Sequence, residues 1–162
     1  MIYVSIRDGI FEYEIYDVLK LFYSEDQIKA CREYTPANCR GLFLSAECRI
    51  NTGADEIRLL LKKDGVETKR ILTAKAPSGS ENEVEARKQL KRELKREIFM
   101  LLEKALGKSL PWGVLTGIRP GKIVHEMMEG EHGKEVILNK LVDYYRVSAN
   151  KAQLLYETAR AE

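Results

Sequence analysis

The stretch from residue 81 to residue 106, "ENEVEARKQLKRELKREIFMLLEKAL", contains neither proline nor glycine. Nothing in it interrupts a helix, so it predicts one continuous helix of roughly 26 residues, about 39 Å long at 1.5 Å per residue. Leu90, Leu94, Ile98, Leu101 and Ala105 recur at spacings of three and four and line one face. A rod of that length needs a long apolar partner surface for its stripe. The preceding "KAPSGSENE" offers two capping boxes, Ser78 with Glu81 and Ser80 with Glu83. In each, a serine oxygen and a carboxylate satisfy free amides at a helix start. Gly107 follows as a C-terminal cap.

A chain of 162 residues supports one domain or two very small ones. The break at "KAPSGSENE" predicts the division, into 1–76 and 77–162. "MIYVSI" is short and rich in β-branched and aromatic residues, as a strand is. In "FEYEIYDVLKLFY", Ile15, Val18, Leu19 and Phe22 recur at helical spacing. A strand near "QIKACREY", a turn at Pro36–Asn38 and a strand in "GLFLSAECRI" follow. "DEIRLLLKKDGVETKRILTA" is a hairpin around Asp64-Gly65, a dipeptide suited to positive φ in a two-residue turn. The expected architecture is a small antiparallel sheet carrying one helix. Beyond the long helix, three shorter helices are expected over 119–129, 133–145 and 149–161. Ile137, Leu138, Leu141 and Tyr145 point inward from the second, and Ala152, Leu155 and Ala159 from the third, which Ser148 caps. The fold class is α+β, with the helical subdomain holding about four helices.

With 44% hydrophobic and 32% charged residues the chain reads as folded rather than disordered. Its formal charge of +2 is near balance, so any attraction to nucleic acid or membrane must be local. No apolar run approaches the ~20 residues of a spanning helix. The N-terminus has no basic segment, apolar run and cleavage site of a signal peptide. Three cysteines, odd in number and widely spaced, point to reduced thiols and a cytoplasmic location.

Candidate chemistry is sparse. Cys31, Cys39 and Cys48 are separated by eight and nine positions, unlike the C-x2-C spacing of zinc and iron–sulfur sites. They read as ordinary thiols in or near strands. "HEMME" at His125 has Glu129 where the H-E-x-x-H zinc motif has its second histidine. There is no G-x-S-x-G elbow, no G-x-G-x-x-G and no Walker loop. No catalytic constellation and no metal site is expected in this chain.

The local basic feature is Arg87, Lys88, Lys91, Arg92, Lys95 and Arg96, an arc on the long helix beside its leucine stripe. It can line up on phosphates, or form a solvated face balanced by Glu93, Glu97 and the acidic first turn. The second reading is favoured. "YYRVSANKAQLLYETA" has the outline of a helix-turn-helix. Its second helix begins Ala149-Asn150-Lys151-Ala152-Gln153, with few base-reading side chains, so a plain helical hairpin is favoured.

"LPWGVLTGIRPGKIVHEMMEG", residues 110 to 130, is different. Pro120 lacks an amide hydrogen and suits the first turn of a helix. Thr116 and Gly117 supply a cap or a left-handed position just before it. A helix start flanked by Arg119 and Lys122 attracts a phosphate or carboxylate. Trp112 either packs beneath the loop or presents an aromatic face. The loop is therefore a structural turn or an anion or partner site.

Pro111-Trp112-Gly113, Leu115-Thr116-Gly117, Arg119-Pro120 and Lys122, followed by Tyr145, Val147 and Ser148, resemble the N-terminal region of a known family. It is the oxygen-independent coproporphyrinogen III oxidase-like radical SAM proteins, of the coproporphyrinogen dehydrogenase type. The resemblance extends over residues 107 to 162. Over the first 75 residues it is a similar order of strand, helix and strands. It implies a cytoplasmic oxidoreductase of anaerobic haem (porphyrin) biosynthesis, taking coproporphyrinogen III to protoporphyrinogen IX.

In that family a C-x3-C-x2-C motif holds a [4Fe–4S] cluster that binds S-adenosylmethionine, beyond the segment matched here. The motif is absent from this chain, so no cofactor is expected in it. The resemblance implies a non-catalytic N-terminal accessory domain of a longer parent that carries the cluster and S-adenosylmethionine. The helical pattern still running at "ETARAE" fits a chain that continues. The implied partner is the C-terminal radical SAM barrel, which this domain packs on or covers, with weak homodimerisation in its absence. Trp112, Thr116, Gly117, Arg119 and Lys122 are the candidate contacts to an anionic substrate or to the neighbouring domain. Two rival readings are a nucleic-acid-binding module, using the Arg87–Arg96 stripe or the C-terminal hairpin, and a stand-alone protein-interaction domain. A membrane partner is not expected, and nucleic acid is the less favoured one.

Overall fold

The computed structural model describes residues 1–7, 9–32, 41–49, 55–74, 81–115 and 119–162, with the backbone alone for 81–83. It forms two compact units, Met1–Leu106 and Gly107–Glu162. The boundary thus lies after the long helix and not at 76/77, because that helix buries its stripe inside the first unit. Ser78, Ser80 and the turn at Pro36–Asn38 lie outside the described residues.

Unit 1 is a five-stranded sheet with helices. Its strands are β1 (Ile2–Arg7), β2 (Ile28–Ala30), β3 (Leu42–Arg49), β4 (Asp55–Lys63) and β5 (Val66–Ala74), in the order β2-β1-β3-β4-β5. Strands β3, β4 and β5 are antiparallel, as expected, but β1 runs parallel to both β2 and β3. The sheet is therefore mixed. The physical reason is α1 (Glu12–Leu19), which carries the chain back so that β2 starts at the same end as β1. The helix is shorter than its apolar pattern suggested, and tight turns from Val18 to Leu21 and from Leu19 to Phe22 follow it.

The core follows from strand alternation. Leu44, Ala46 and Cys48 of β3 stand opposite Leu61, Leu59 and Ile57 of β4, and all are buried. Helix α2 (Glu81–Leu106) packs on β4, β5 and α1. Its Leu90, Leu94, Ile98 and Leu101 are buried as the stripe predicts, and Phe99 and Leu102 widen that stripe. Each fully buried leucine contributes about 1.5–3 kcal/mol relative to exposure. Phe22 and Phe99 meet with ring centroids 5.2 Å apart. The hairpin turn has Asp64 at φ 50 and Gly65 at φ 81, the left-handed pair expected of this dipeptide. Strand β5 is the sheet edge and leaves Glu67, Lys69, Arg70 and Ile71 exposed, which accounts for its imperfect alternation.

Unit 2 contains α3 (Pro120–Glu129), α4 (Lys134–Asn139) and α5 (Ala149–Ala161). The helix expected over 133–145 is α-helical only to Asn139; Lys140–Tyr144 form a π-turn. Arg146 then takes φ 59, and the Val147 amide reaches the Leu141 carbonyl at 3.0 Å, closing the helix end. Val124, Met127, Ile137, Leu141, Val147 and Leu155 form the centre of this unit's core. Among the described residues, no helix is long and apolar enough to cross a membrane.

Candidate functional site

The distinctive segment of unit 2 begins as a turn. The Gly113 amide donates to the Leu110 carbonyl at 3.2 Å, and the Leu115 amide to the Trp112 carbonyl at 3.1 Å. Two further backbone bonds tie this turn to the one between α4 and α5. Val114 donates to the Tyr145 carbonyl at 3.0 Å, and Ser148 donates to the Pro111 carbonyl at 3.0 Å. Between them the backbones touch. Gly113 has φ 54, and a Cβ placed there would lie 2.1 Å from the Tyr145 oxygen and 2.5 Å from the Arg146 carbonyl carbon. Only glycine satisfies both the left-handed backbone and that approach. The Pro-Trp-Gly segment and the Tyr-x-Val-Ser turn, distant in sequence, are two sides of one docking contact.

Trp112 is 37% exposed, and the Lys151 ammonium lies 5.0 Å from its ring centroid. In sequence Lys151 is part of a weak recognition helix; in the structure it is a cation on an aromatic face. Arg119 is the N-cap residue of α3, at φ −80 and ψ 103, and Pro120 occupies the first turn as expected. Arg119 is exposed and pairs with no carboxylate among the described residues. Lys122 faces Glu126 one turn on at 3.6 Å, with side chains 74% and 61% exposed. Such a pair contributes little and leaves the cation open to other anions. No acid lies in the first turn of α3, so the helix dipole and the two cations act with the same sign there. Thr116 and Gly117 lie outside the described residues.

The basic stripe of α2 has a different fate. Lys91 pairs with Glu14 at 2.6 Å, Lys95 with Asp17, and Arg87 with Asp55 at 3.6 Å. Lys88 and Arg92 pair with Glu85, and Arg96 with Glu93 and Glu97. The stripe is an ion-paired seam; Lys91 and Lys95 bind α1, and Arg87 binds β4. Its tertiary partners Glu14, Asp17 and Asp55 were not foreseen, since they sit on other elements. In the C-terminal hairpin, Gln153 and Lys134 both bond Glu157, at 2.6 and 3.1 Å, so part of the would-be reading face is engaged internally. His125 of "HEMME" bonds Glu162 at 2.8 Å.

Among the described residues no three His, Cys, Asp or Glu side chains converge on a metal-sized site. Cys48 is buried opposite Ile57, Cys31 follows β2, and Cys39 lies outside the described residues.

No protein-family profile matches the chain. Over 75 residues, 46% of its length, the chain is 35% identical to the "Oxygen-independent coproporphyrinogen-III oxidase-like protein HemZ" of Bacillus subtilis (strain 168). The match spans only 15% of that relative's length. A solved structure titled as an uncharacterized protein is 12% identical, covering 64% of this chain and 88% of its own, with a TM-score of 0.33.

Proposed function

We propose that this chain is a non-catalytic accessory domain of a coproporphyrinogen oxidase-like oxidoreductase, lying N-terminal to a radical SAM barrel. The observation that carries the reading is the 35% identity over 75 residues to the Bacillus protein. The cluster and S-adenosylmethionine chemistry is assigned to the barrel, since this sequence lacks the C-x3-C-x2-C motif. The chain's own contribution is to pack on the barrel and present Arg119 and Lys122. Two cations at a helix start suit a carboxylate, either on the barrel or on a carboxylate-rich porphyrinogen.

A nucleic-acid module lacks comparable support, because each cation of the 87–96 stripe is matched by an acid. Binding that falls steeply with salt and is abolished by reversing Lys91 and Arg92 would revive it.

The direct test is the mass of the native gene product, detected in its source cells with an antibody to this domain. A product several times heavier than 18.6 kDa is expected, and anaerobic reconstitution of that full chain should yield a cluster. A native product of 18.6 kDa would overturn the proposal.

A further inference from the structure

A cavity of about 550 Å³ opens where β1 and the strand-like continuation of β2 end, and Ser5, Arg7, Glu12, Tyr16, Cys31 and Arg32 contribute to its lining. This is a topologically privileged place. The parallel neighbours β2 and β3 lie on opposite sides of β1, which makes its carboxyl end a switch point of the sheet. Open sheets with parallel strands commonly bind ligands at such switch points.

Charge pairing sets the cavity apart from the rest of the unit. Arg49, Arg58, Arg70, Arg87, Arg92 and Arg96 each face a carboxylate. Among the described arginines of unit 1, only Arg7 and Arg32 do not, and both line this cavity. Arg7 stands in register with Glu47, but that carboxylate is bonded to Arg49 at 3.1 Å. Arg32 is held from the backbone. The Cys31 amide donates to the Val4 carbonyl at 2.8 Å, and the Ser5 hydroxyl donates to the Arg32 carbonyl at 2.9 Å. Ser5 is 5% exposed and is the one buried polar side chain among the described residues. The fold thus fixes the chain at Arg32, whose guanidinium pairs with no carboxylate among the described residues.

We propose that this cavity binds a small organic anion, a phosphate monoester or a carboxylate, through Arg7 and Arg32. Guanidinium groups present paired donors that match the oxygens of either head. Burial raises the Tyr16 pKa, helped by Glu12 and Cys31, so its hydroxyl remains a donor at neutral pH. Glu12 is the one acid among the described lining residues and disfavours a ligand charged along its whole length. The fitting ligand has one anionic head and an uncharged body, and the volume lies within the range of small-molecule sites. This site lies in unit 1 and does not depend on the cations of α3.

Cys31 supplies the readout. Its alkylation by iodoacetamide is followed in the full chain by peptide mass, with phenyl phosphate, benzoate or benzyl alcohol added. Phenyl phosphate and benzoate distinguish the two heads on one ring, and benzyl alcohol is the uncharged control. One of the acids should slow Cys31 saturably while benzyl alcohol does not. Arg7→Gln and Arg32→Gln should each raise the half-protecting concentration about tenfold, each measured against its own unliganded rate. Arg92→Gln, which removes the same charge from a position paired with Glu85 away from the cavity, should leave it unchanged. The proposal is overturned if neither acid protects Cys31, if Arg7→Gln and Arg32→Gln leave protection intact, or if Arg92→Gln weakens it equally.

Discussion

Gly113→Ala is the most searching test of the docking contact in unit 2. The substitution adds one methyl group to a residue at φ 54, where a Cβ costs about 1–2 kcal/mol by itself. The methyl would also sit 2.1 Å from the Tyr145 oxygen, so the two turns must separate. Separation stretches the Val114–Tyr145 and Ser148–Pro111 hydrogen bonds, each 3.0 Å long, and each contributes about 0.5–1.5 kcal/mol. The expected loss is about 2–5 kcal/mol. Trp112 is the only tryptophan and adjoins the altered residue, so its fluorescence in urea reports this unit, while far-UV circular dichroism reports the whole chain. The fluorescence midpoint should fall well ahead of the circular-dichroism signal of α2 and the sheet. Gly121→Ala is the control, since its Cβ meets nothing within 4 Å, and it should be neutral or stabilising by less than about 1 kcal/mol. A Gly113→Ala chain within ~0.5 kcal/mol of the parent would refute the docking argument, because backbone strain alone exceeds that figure.

Gly65→Ala in the β4–β5 turn isolates strain from collision. Its φ is 81 but its Cβ would be in open space, so a loss of about 1–2 kcal/mol is expected in urea denaturation, less than at Gly113. Lys95→Gln breaks the pair with Asp17, whose partners are 24% and 25% exposed, and should cost about 1 kcal/mol by circular dichroism. Lys88→Gln, in a pair 63% and 60% exposed, should stay within ~0.5 kcal/mol; equal effects would show that the α1–α2 seam carries no special weight. Glu67 has its pKa held below 4.5, chiefly by the hydrogen bond from Lys62. The stability it adds is present above its unfolded pKa and is lost as pH falls through its lower folded value. The melting temperature of Glu67→Gln should therefore vary less with pH below about 4.5 than that of the parent, and parallel curves would remove the pair from the acid response.

What the sequence revealed was what local chemistry decides. The bounds of α2 and α5 follow from uninterrupted helical spacing beside Gly107 and Ser148, and the β4–β5 turn follows from Asp64-Gly65. The mixed sheet was hidden because parallel pairing of β1 with β3 leaves no turn signature in the chain between them. The division after Leu106 was hidden for a related reason. "KAPSGSENE" marks where a helix begins, whereas unit membership depends on the surface that buries Leu94 and Ile98. The ion-paired seam was legible in part: Glu93 and Glu97 do balance Arg96, whereas Glu14, Asp17 and Asp55 are brought to α2 only by folding. Of the candidate site, Arg119, Pro120 and Lys122 were legible from residue chemistry at a helix start. The role of Gly113 was not, since its necessity arises from the Tyr145 backbone.

The motif that sets this chain apart thus contains two kinds of residue, and the distinction bears on what the segment can do. Gly113, Tyr145 and Ser148 are explained by packing, and Trp112 by its stack with Lys151; none of them needs a ligand to account for its presence. Arg119 differs, because it has no carboxylate partner among the described residues and its helix start already favours an anion. Leu115, buried after the docked turn, fixes the chain only a few residues before it. Scaffold and recognition are therefore not competing accounts of the segment. The docked turn and the buried leucine account for the placement of neither cation, so Arg119 and Lys122 can be altered without touching the docking contact. On this argument Arg119→Gln should leave the fluorescence midpoint of Trp112 within ~0.5 kcal/mol of the parent, as an exposed surface change does. A large loss of stability in Arg119→Gln would instead return the arginine to the scaffold.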